Sequence, residues 1–200
     1  MVKRSVMVVI QTNLKSVFFA VISAVFLLSC SSANEFTTLL DQVEKLNISC
    51  DNYTLGKALT DRQKKTARQN TVQEASQGTW KFKDKDLYVV ADKNSDRVII
   101  LYEQHEKASE KKTREMIGSL FLEFGDPTVM AHDKLIYWAF DAKGKVSGEK
   151  YSKIKDAKEP LQVLATVKLS SSEKIMGNPK YQNIYYIISS EPVLKYFSGL

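Results

Sequence analysis

Two stretches of this chain repeat their apolar side chains at helical spacing. The first is Glu35–Leu46 and the second is Glu110–Phe124, in which Met, Ile, Leu and Phe residues fall on one face. Ser109 offers a capping hydroxyl before the second stretch, and Gly125 supplies a left-handed stop after it. Pro127 prevents the helix from continuing. The pattern therefore predicts two helices with these bounds.

Other stretches have the composition of strands. Leu87–Ala91 and Arg97–Tyr102 flank a polar turn and predict a β-hairpin. Further β-rich segments are Trp80–Phe82, Thr128–Met130, Leu135–Phe140, Leu161–Leu169 and Asn183–Ser189. The hairpin and the short connections favour an α+β domain. We expect a mostly antiparallel sheet of about five strands, with the helices packed on one face.

Three segments lack a clear apolar pattern. Thr54–Gln77 has few core-forming side chains, so it predicts either a solvated helix or a mobile loop. Ala142–Pro160 contains two glycines and many lysines, which indicates a long exposed connection. Val193–Phe197 is a short apolar segment that closes the chain.

The N-terminus combines positive charge with a short apolar run. Lys3, Arg4 and Lys15 precede the run Val17–Leu28, and no acidic residue occurs before Glu35. Twelve apolar or small residues suit a secretory signal, whereas a span of the hydrocarbon core needs about twenty. We therefore expect a signal segment and not a stable transmembrane helix.

The end of this run, Leu27-Leu28-Ser29-Cys30, resembles the lipobox of bacterial lipoproteins. The resemblance implies that residues 1–29 are cut off, that the Cys30 thiol carries diacylglycerol, and that the new amino terminus is acylated. Each CH₂ of these chains adds roughly 0.8 kcal/mol of membrane affinity. Residues 30–34 would then form a short tether. The alternative is an ordinary secretory signal with a chance cysteine, or an uncut anchor.

The position after the cysteine suggests an address within the envelope. Ser31 stands where an aspartate is the retention signal in many two-membrane bacteria. The resemblance therefore points to the periplasmic side of the outer membrane. In a cell with one membrane, the same anchor would hold the protein at the plasma membrane.

Charge argues against a nucleic-acid partner. The whole chain carries a net charge of +6, but three of its basic residues precede Cys30. The remaining part has 26 basic and 23 acidic residues, which leaves only a small excess. Residues 35–200 are long enough for a single domain with a sizeable core.

Candidate catalytic groups are few. Cys50 has no partner for an intramolecular disulfide if Cys30 is lipidated, and burial among apolar neighbours is the favoured interpretation. His105 and His132 are the two histidines, and their spacing does not match a zinc ligand set. The pair His132-Asp133 is better explained as a turn. We expect no enzymatic activity, metal or cofactor.

Aromatic side chains are the most distinctive feature of the predicted strands. If half of them point away from the helices, they form a face that binds a partner or an apolar ligand. The alternative is that they fill the core, and adjacent pairs must point to opposite sides of their strand. The candidate binding residues are Trp80, Tyr88, Tyr102, Tyr137, Trp138, Tyr185 and Tyr186.

A second resemblance concerns Glu110–Phe140, in which a helix ends in Phe124-Gly125-Asp126-Pro127 and strands with Tyr137-Trp138 follow. This segment resembles small outer-membrane lipoproteins of the SmpA/OmlA type, which implies a scaffold role in envelope assembly. We therefore expect a lipid-anchored, noncatalytic domain that binds an envelope protein. The alternative function is a carrier or receptor that holds an apolar ligand between the sheet and the second helix.

The lipid anchor can be tested by labelling growing cells with a clickable fatty acid. We expect the label on the wild-type protein and none on the Cys30→Ala variant, because the thioether and the acylated amino terminus both require Cys30. The Cys50→Ala variant serves as the matched control and should keep the label. A labelled Cys30→Ala protein would contradict the lipobox interpretation.

Overall fold

A computed structural model describes residues 34–72, 77–158, 160–175, 177 and 180–198. Cys30, the lipobox and the predicted signal segment lie outside the described residues. The described residues from Leu39 onward form one compact unit, and residues 34–38 belong to another.

Five helices and eleven strands occur in the described residues. The helices are residues 34–45 (α1), Asp61–Gln69 (α2), Glu110–Phe124 (α3), Gly148–Ala157 (α4) and Glu191–Ser198 (α5). The strands are Ser49–Cys50 (β1), Tyr53–Thr54 (β2), Thr71–Val72 (β3), Thr79–Asp84 (β4), Leu87–Asp92 (β5), Val98–Ser109 (β6), Val129–Ala131 (β7), Leu135–Asp141 (β8), Gly144–Lys145 (β9), Ala165–Ser171 (β10) and Tyr181–Ser189 (β11). None of the described helices has both the length and the apolar character that a membrane span requires.

The strands form one large sheet and one small one. The large sheet has the order β3-β4-β5-β6-β11-β10-β8-β7, with β9 paired to β8, and β1 pairs separately with β2. Every pairing in both sheets is antiparallel. The α+β class and the mostly antiparallel sheet are confirmed. The expected number of about five strands is too low, chiefly because β1, β2, β3 and β9 have only two residues each and leave no period in the sequence.

One face of the large sheet is a dry core. Residues directly opposite each other on neighbouring antiparallel strands share a face. One such row crosses six strands, and each of its side chains is 0 % exposed. The row consists of Phe82, Val89, Leu101, Ile188, Val167 and Trp138.

Helix α3 covers this face and has the predicted bounds. The Ser109 side chain caps its first turn, and Gly125 ends it with φ 66° and ψ −155°. The positive φ is as expected, but the extended ψ differs from the left-handed stop predicted for Gly125. The Trp138 indole N–H donates to the Gly125 carbonyl over 2.9 Å. Its ring also lies 5.8 Å from that of Phe121 and 6.0 Å from that of Phe124, between centroids.

The segments without an apolar pattern contain more structure than expected. Within Thr54–Gln77, the helix alternative is confirmed over α2, which begins with a capping box between Thr60 and Gln63. The prediction of an exposed connection over Ala142–Pro160 is incomplete, because β9 and α4 lie within it. Helix α4 starts at the Ser147 cap and buries none of its residues, so no apolar stripe revealed it.

Arg97 joins α1 to the start of β6. Its guanidinium pairs with Asp41 over 2.6 Å and with Glu44 over 2.8 Å, while its Nε donates to the Gly56 carbonyl. The Arg97 side chain is 11 % exposed, but those of Asp41 and Glu44 are 56 % and 41 % exposed, so water screens these pairs in part. Gly56 itself has φ +82°, and a Cβ there would lie 2.7 Å from Glu44 N and 2.9 Å from Leu40 O. The junction therefore needs glycine at this position.

The surroundings of Gly56 in this junction and of Gly118 in α3 predict opposite effects of Gly→Ala substitutions on stability. Gly56→Ala should lower the free energy of unfolding by at least about 2 kcal/mol, because it combines a positive φ with backbone overlap. Gly118 lies in α3 and a Cβ there meets nothing within 4 Å. Gly118→Ala should raise the free energy of unfolding by about 0.5–1 kcal/mol. Urea unfolding followed by circular dichroism measures both, and equal effects would contradict the described junction.

Candidate functional site

A row of lysine and tyrosine side chains crosses the face of the sheet opposite α3. Its members lie directly opposite each other on seven consecutive strands, and all are partly exposed. With strands 4.7–4.9 Å apart, the row spans roughly 29 Å. This Lys–Tyr row consists of Lys83, Tyr88, Tyr102, Ile187, Lys168, Tyr137 and Val129.

The aromatic rings of the row are held in fixed positions by their neighbours. The rings of Tyr88 and Tyr102 stack with centroids 4.7 Å apart and an interplanar angle of 8°. Lys83 Nζ lies 5.0 Å from the Tyr88 centroid, and Lys81 Nζ lies 5.6 Å from Tyr88 and 5.9 Å from Tyr102. These distances allow cation–π attraction, which orders the lysine stems along the surface.

The lysines of this face keep their charge available. Lys168 Nζ lies 5.6 Å from the Tyr137 centroid. Within the described ranges, no carboxylate forms an ion pair with Lys81, Lys83 or Lys168. Acidic side chains also occur on this face: Glu106 accepts from the Gln104 amide over 3.3 Å, and Asp141 pairs with Lys150. The charge of Glu191 in α5 acts on Tyr137 and, after burial, helps to raise its pKa. The Lys–Tyr row is therefore a positively charged aromatic strip.

The exposed part of this face has clear limits. Tyr185 lies in the row beside the Lys–Tyr row, opposite Gln104, and is 36 % exposed. On the other side of the Lys–Tyr row, the same face carries the buried Val90, Thr166 and Ala139. The Lys–Tyr row and the adjacent row of Tyr185 are therefore accessible, and the row of Val90 is accessible at the partly exposed Lys81 and Ile100.

The seven aromatic residues proposed from the sequence divide between the two faces. Those on the accessible face are Tyr88, Tyr102, Tyr137 and Tyr185. Those on the face of α3 are Trp80, Trp138 and Tyr186. Trp138 is fully buried and Tyr186 is 6 % exposed. The Trp80 indole N–H is buried without a hydrogen-bond partner among the described residues.

A second feature is a cleft of about 490 Å³ between α3 and the sheet. We call it the acidic cleft, because it combines four carboxylates with one ammonium group. The carboxylates are those of Asp51, Glu103, Glu115 and Glu123, and the cation is Lys112. Cys50, Met116, Leu120 and Tyr186 also line it. A volume of this size suits a small ligand or one side chain of a partner.

Glu103 is the central group of the acidic cleft. It lies between Leu87 and Tyr186 on the face of α3, where most members of the rows are apolar. Its Oε2 is 2.7 Å from His105 Nε2, and the Cys50 thiol lies 4.0 Å from its Oε1. The Glu103 side chain is 21 % exposed, so most of it is withdrawn from water.

The cleft keeps its thiol protonated. Burial, together with the smaller effects of the charges of Glu103, Asp51 and Glu123, raises the pKa of Cys50 to about 12. Cys50 is half-buried and not fully buried as the sequence suggested. Partial burial also raises the pKa of Glu123. At neutral pH the site therefore offers a thiol and not a nucleophilic thiolate.

The remaining candidate chemistry is accounted for by local structure. His132 and Asp133 form the turn between β7 and β8, with φ 52° and 55°. His105 contacts Glu103 and forms no hydrogen bond with Cys50. In the part of the chain that the structure describes, no group of three or more His, Cys, Asp or Glu side chains is arranged to hold a metal ion.

Comparisons with known proteins add no precedent for either feature. Protein-family models, curated proteins and solved structures were compared with the chain, and none matched. The resemblances to lipoproteins therefore stay predictions from short motifs. The chemistry of the Lys–Tyr row and of the acidic cleft is argued from their own side chains.

Signals in the sequence for the polar members of these features are faint. Lys81 and Lys83 alternate with the aromatic residues of β4, and this alternation indicates that the two lysines share a face. Their tyrosine neighbours come from other strands, so the local sequence does not reveal the contact. Glu103 directly follows the apolar run of β6. The position of this carboxylate at the end of an apolar strand segment is the sign of the cleft that can be read from the sequence.

The raised pKa of Cys50 predicts slow alkylation, measured by mass spectrometry with iodoacetamide on the Cys30→Ala variant. At about pH 8 the native protein should react at least about a hundredfold more slowly than the urea-unfolded chain. Its rate should keep rising from about pH 8 to about pH 10, whereas the unfolded chain levels off near the ordinary thiol pKa. Glu103→Gln removes a negative charge and should speed the native reaction. Equal native and unfolded rates would contradict the described environment.

Proposed function

We propose that this protein is a lipid-anchored, noncatalytic envelope protein that binds an acidic segment of another envelope protein through its Lys–Tyr row. The observation that carries the proposal is the accessible strip of stacked tyrosines and lysines on a rigid sheet. Tyrosine is enriched in the centres of protein interfaces, where it buries a large area at little entropic cost.

The charge of the strip favours an acidic partner. Lys81, Lys83 and Lys168 have no carboxylate partner among the described residues, so each can pair with a carboxylate brought by a ligand. Complementary charge speeds encounter and fixes orientation, while the rings of Tyr88 and Tyr102 offer the apolar contact area. The length of roughly 29 Å suits an extended segment of about eight or nine residues.

The noncatalytic part of the proposal rests on the acidic cleft. A cysteine nucleophile needs a thiolate and an adjacent base, but the pKa of Cys50 is raised and His105 is directed to Glu103. The membrane part rests on the lipobox, since a lipid at Cys30 would confine the domain to the envelope and raise its encounter rate with other proteins held there.

The alternative of a carrier for an apolar ligand finds less support. The space between α3 and the sheet is filled around Trp138 by the rings of Phe121 and Phe124. The open part of that space is the acidic cleft, whose carboxylates favour a cation over an apolar molecule.

Site-specific photo-cross-linking in cells tests this proposal. A p-benzoylphenylalanine residue at position 185 should form a cross-link to a defined envelope protein, because Tyr185 borders the Lys–Tyr row. The matched control is position 122, since Leu122 is 90 % exposed on α3. It should give no such product.

Reversing the charge of the lysines in the Lys–Tyr row tests whether the cross-link from position 185 depends on recognition of an acidic segment. Lys83→Glu combined with Lys168→Glu should reduce the cross-link from position 185 by at least about fivefold, since it places like charges opposite the acidic segment. Lys65→Glu, which changes an exposed lysine of α2, should leave the yield unchanged. A cross-link that survives the double reversal, or that forms equally from position 122, would overturn the proposal.

A further inference from the structure

We propose that the acidic cleft binds the primary ammonium group of a small alkylamine, with Glu103 and Glu123 as the anionic partners and the Tyr186 hydroxyl as a further acceptor. This site lies on the face of α3, so the inference goes beyond the proposed function and does not depend on the Lys–Tyr row.

The charges of the cleft are incompletely balanced. Glu115 pairs with Lys111 on the helix surface over 3.9 Å, and Glu103 contacts His105. Glu123 forms no ion pair with any described residue, and it borders the same space as Glu103. Glu123 stays accessible, but desolvation raises its pKa and no described cation compensates it, so a bound ammonium group would supply the missing positive charge.

Tyr186 points independently to a ligand. Its side chain is 6 % exposed and lines the cleft beside Cys50 and Glu103. Its hydroxyl forms no hydrogen bond with another described residue, and it is not among the fully buried polar atoms, so it is open to the cleft and can accept from a ligand there. The negative charges of Glu123 and Glu103 reach this hydroxyl and, after burial, help to raise its pKa. An ammonium group in the cleft would donate to Tyr186 Oη and to both carboxylates.

The remaining walls suit a short hydrocarbon stem. Met116 and Leu120 lie one helical turn apart on α3 and border the cleft together with the Tyr186 ring. A flexible thioether adapts to stems of different shape. Three ammonium donors match two carboxylates and one hydroxyl, so the site resembles the surroundings of a buried lysine side-chain terminus.

The test is a binding titration of the full-length protein in detergent micelles, read by ligand-observed NMR. The probe is n-butylammonium, and n-butanol is the neutral control of equal length. We expect saturable binding of n-butylammonium at about 1 mM or below, and at least about tenfold weaker binding of n-butanol. N-acetyl-lysine methylamide distinguishes the two sources of this group, because it binds only if the cleft admits a lysine side chain from a peptide.

Matched variants locate the site. Glu123→Gln and Tyr186→Phe should each weaken n-butylammonium binding by at least about fivefold. Glu149→Gln removes an exposed carboxylate of α4 and should change it less than about twofold. Glu123 is exposed and Tyr186→Phe keeps its ring, so both proteins should retain the wild-type urea midpoint.

Several results would overturn the inference. These are the absence of saturable n-butylammonium binding, equal binding of n-butanol, or an equal effect of Glu149→Gln and Glu123→Gln. Lys83→Glu should leave amine binding intact, so failure of the partner proposal and failure of this one are separate outcomes.

Discussion

The docking of α3 onto the sheet through Trp138 is the contact on which the rest of the arrangement depends. The indole is fully buried, its ring meets Phe121 and Phe124, and its N–H satisfies the Gly125 carbonyl at the helix end. A buried aromatic of this size contributes about 3–5 kcal/mol relative to alanine. Because it joins the end of the helix to the centre of β8, it fixes the position of α3 over the sheet.

That docking gives the two faces of the sheet different chemistry. Beneath α3, one row of side chains is dry from Phe82 to Trp138, and Glu103 marks where the cover opens into the acidic cleft. On the other face, the row through Tyr88 and Tyr102 stays accessible. The aromatic groups thus serve as core on one side and as a recognition surface on the other. The opposite charges of the two features suit them to different ligands.

The sequence predicted the elements that have their own local signal. Helix α3 and the hairpin of β5 and β6 carry caps, turns and apolar periods within a few residues. Helix α4 buries nothing, so only its Ser147 cap distinguished it from a loop. The Lys–Tyr row could not be predicted, because its register joins seven strands whose order is not the order of the chain. Which of the neighbouring Tyr137 and Trp138 is exposed likewise depends on which face of the sheet α3 covers.

Hydroxyl-radical footprinting of the native protein, read by peptide mass spectrometry, tests the division between the two faces most directly. The account predicts fast oxidation of Tyr185 and intermediate oxidation of Tyr88 and Tyr102. Trp138, intrinsically a more reactive side chain, should stay protected until the protein unfolds. Oxidation of native Trp138 at a rate equal to that of Tyr185 would show that α3 does not cover the sheet, and it would contradict both the closed core and the position of the acidic cleft.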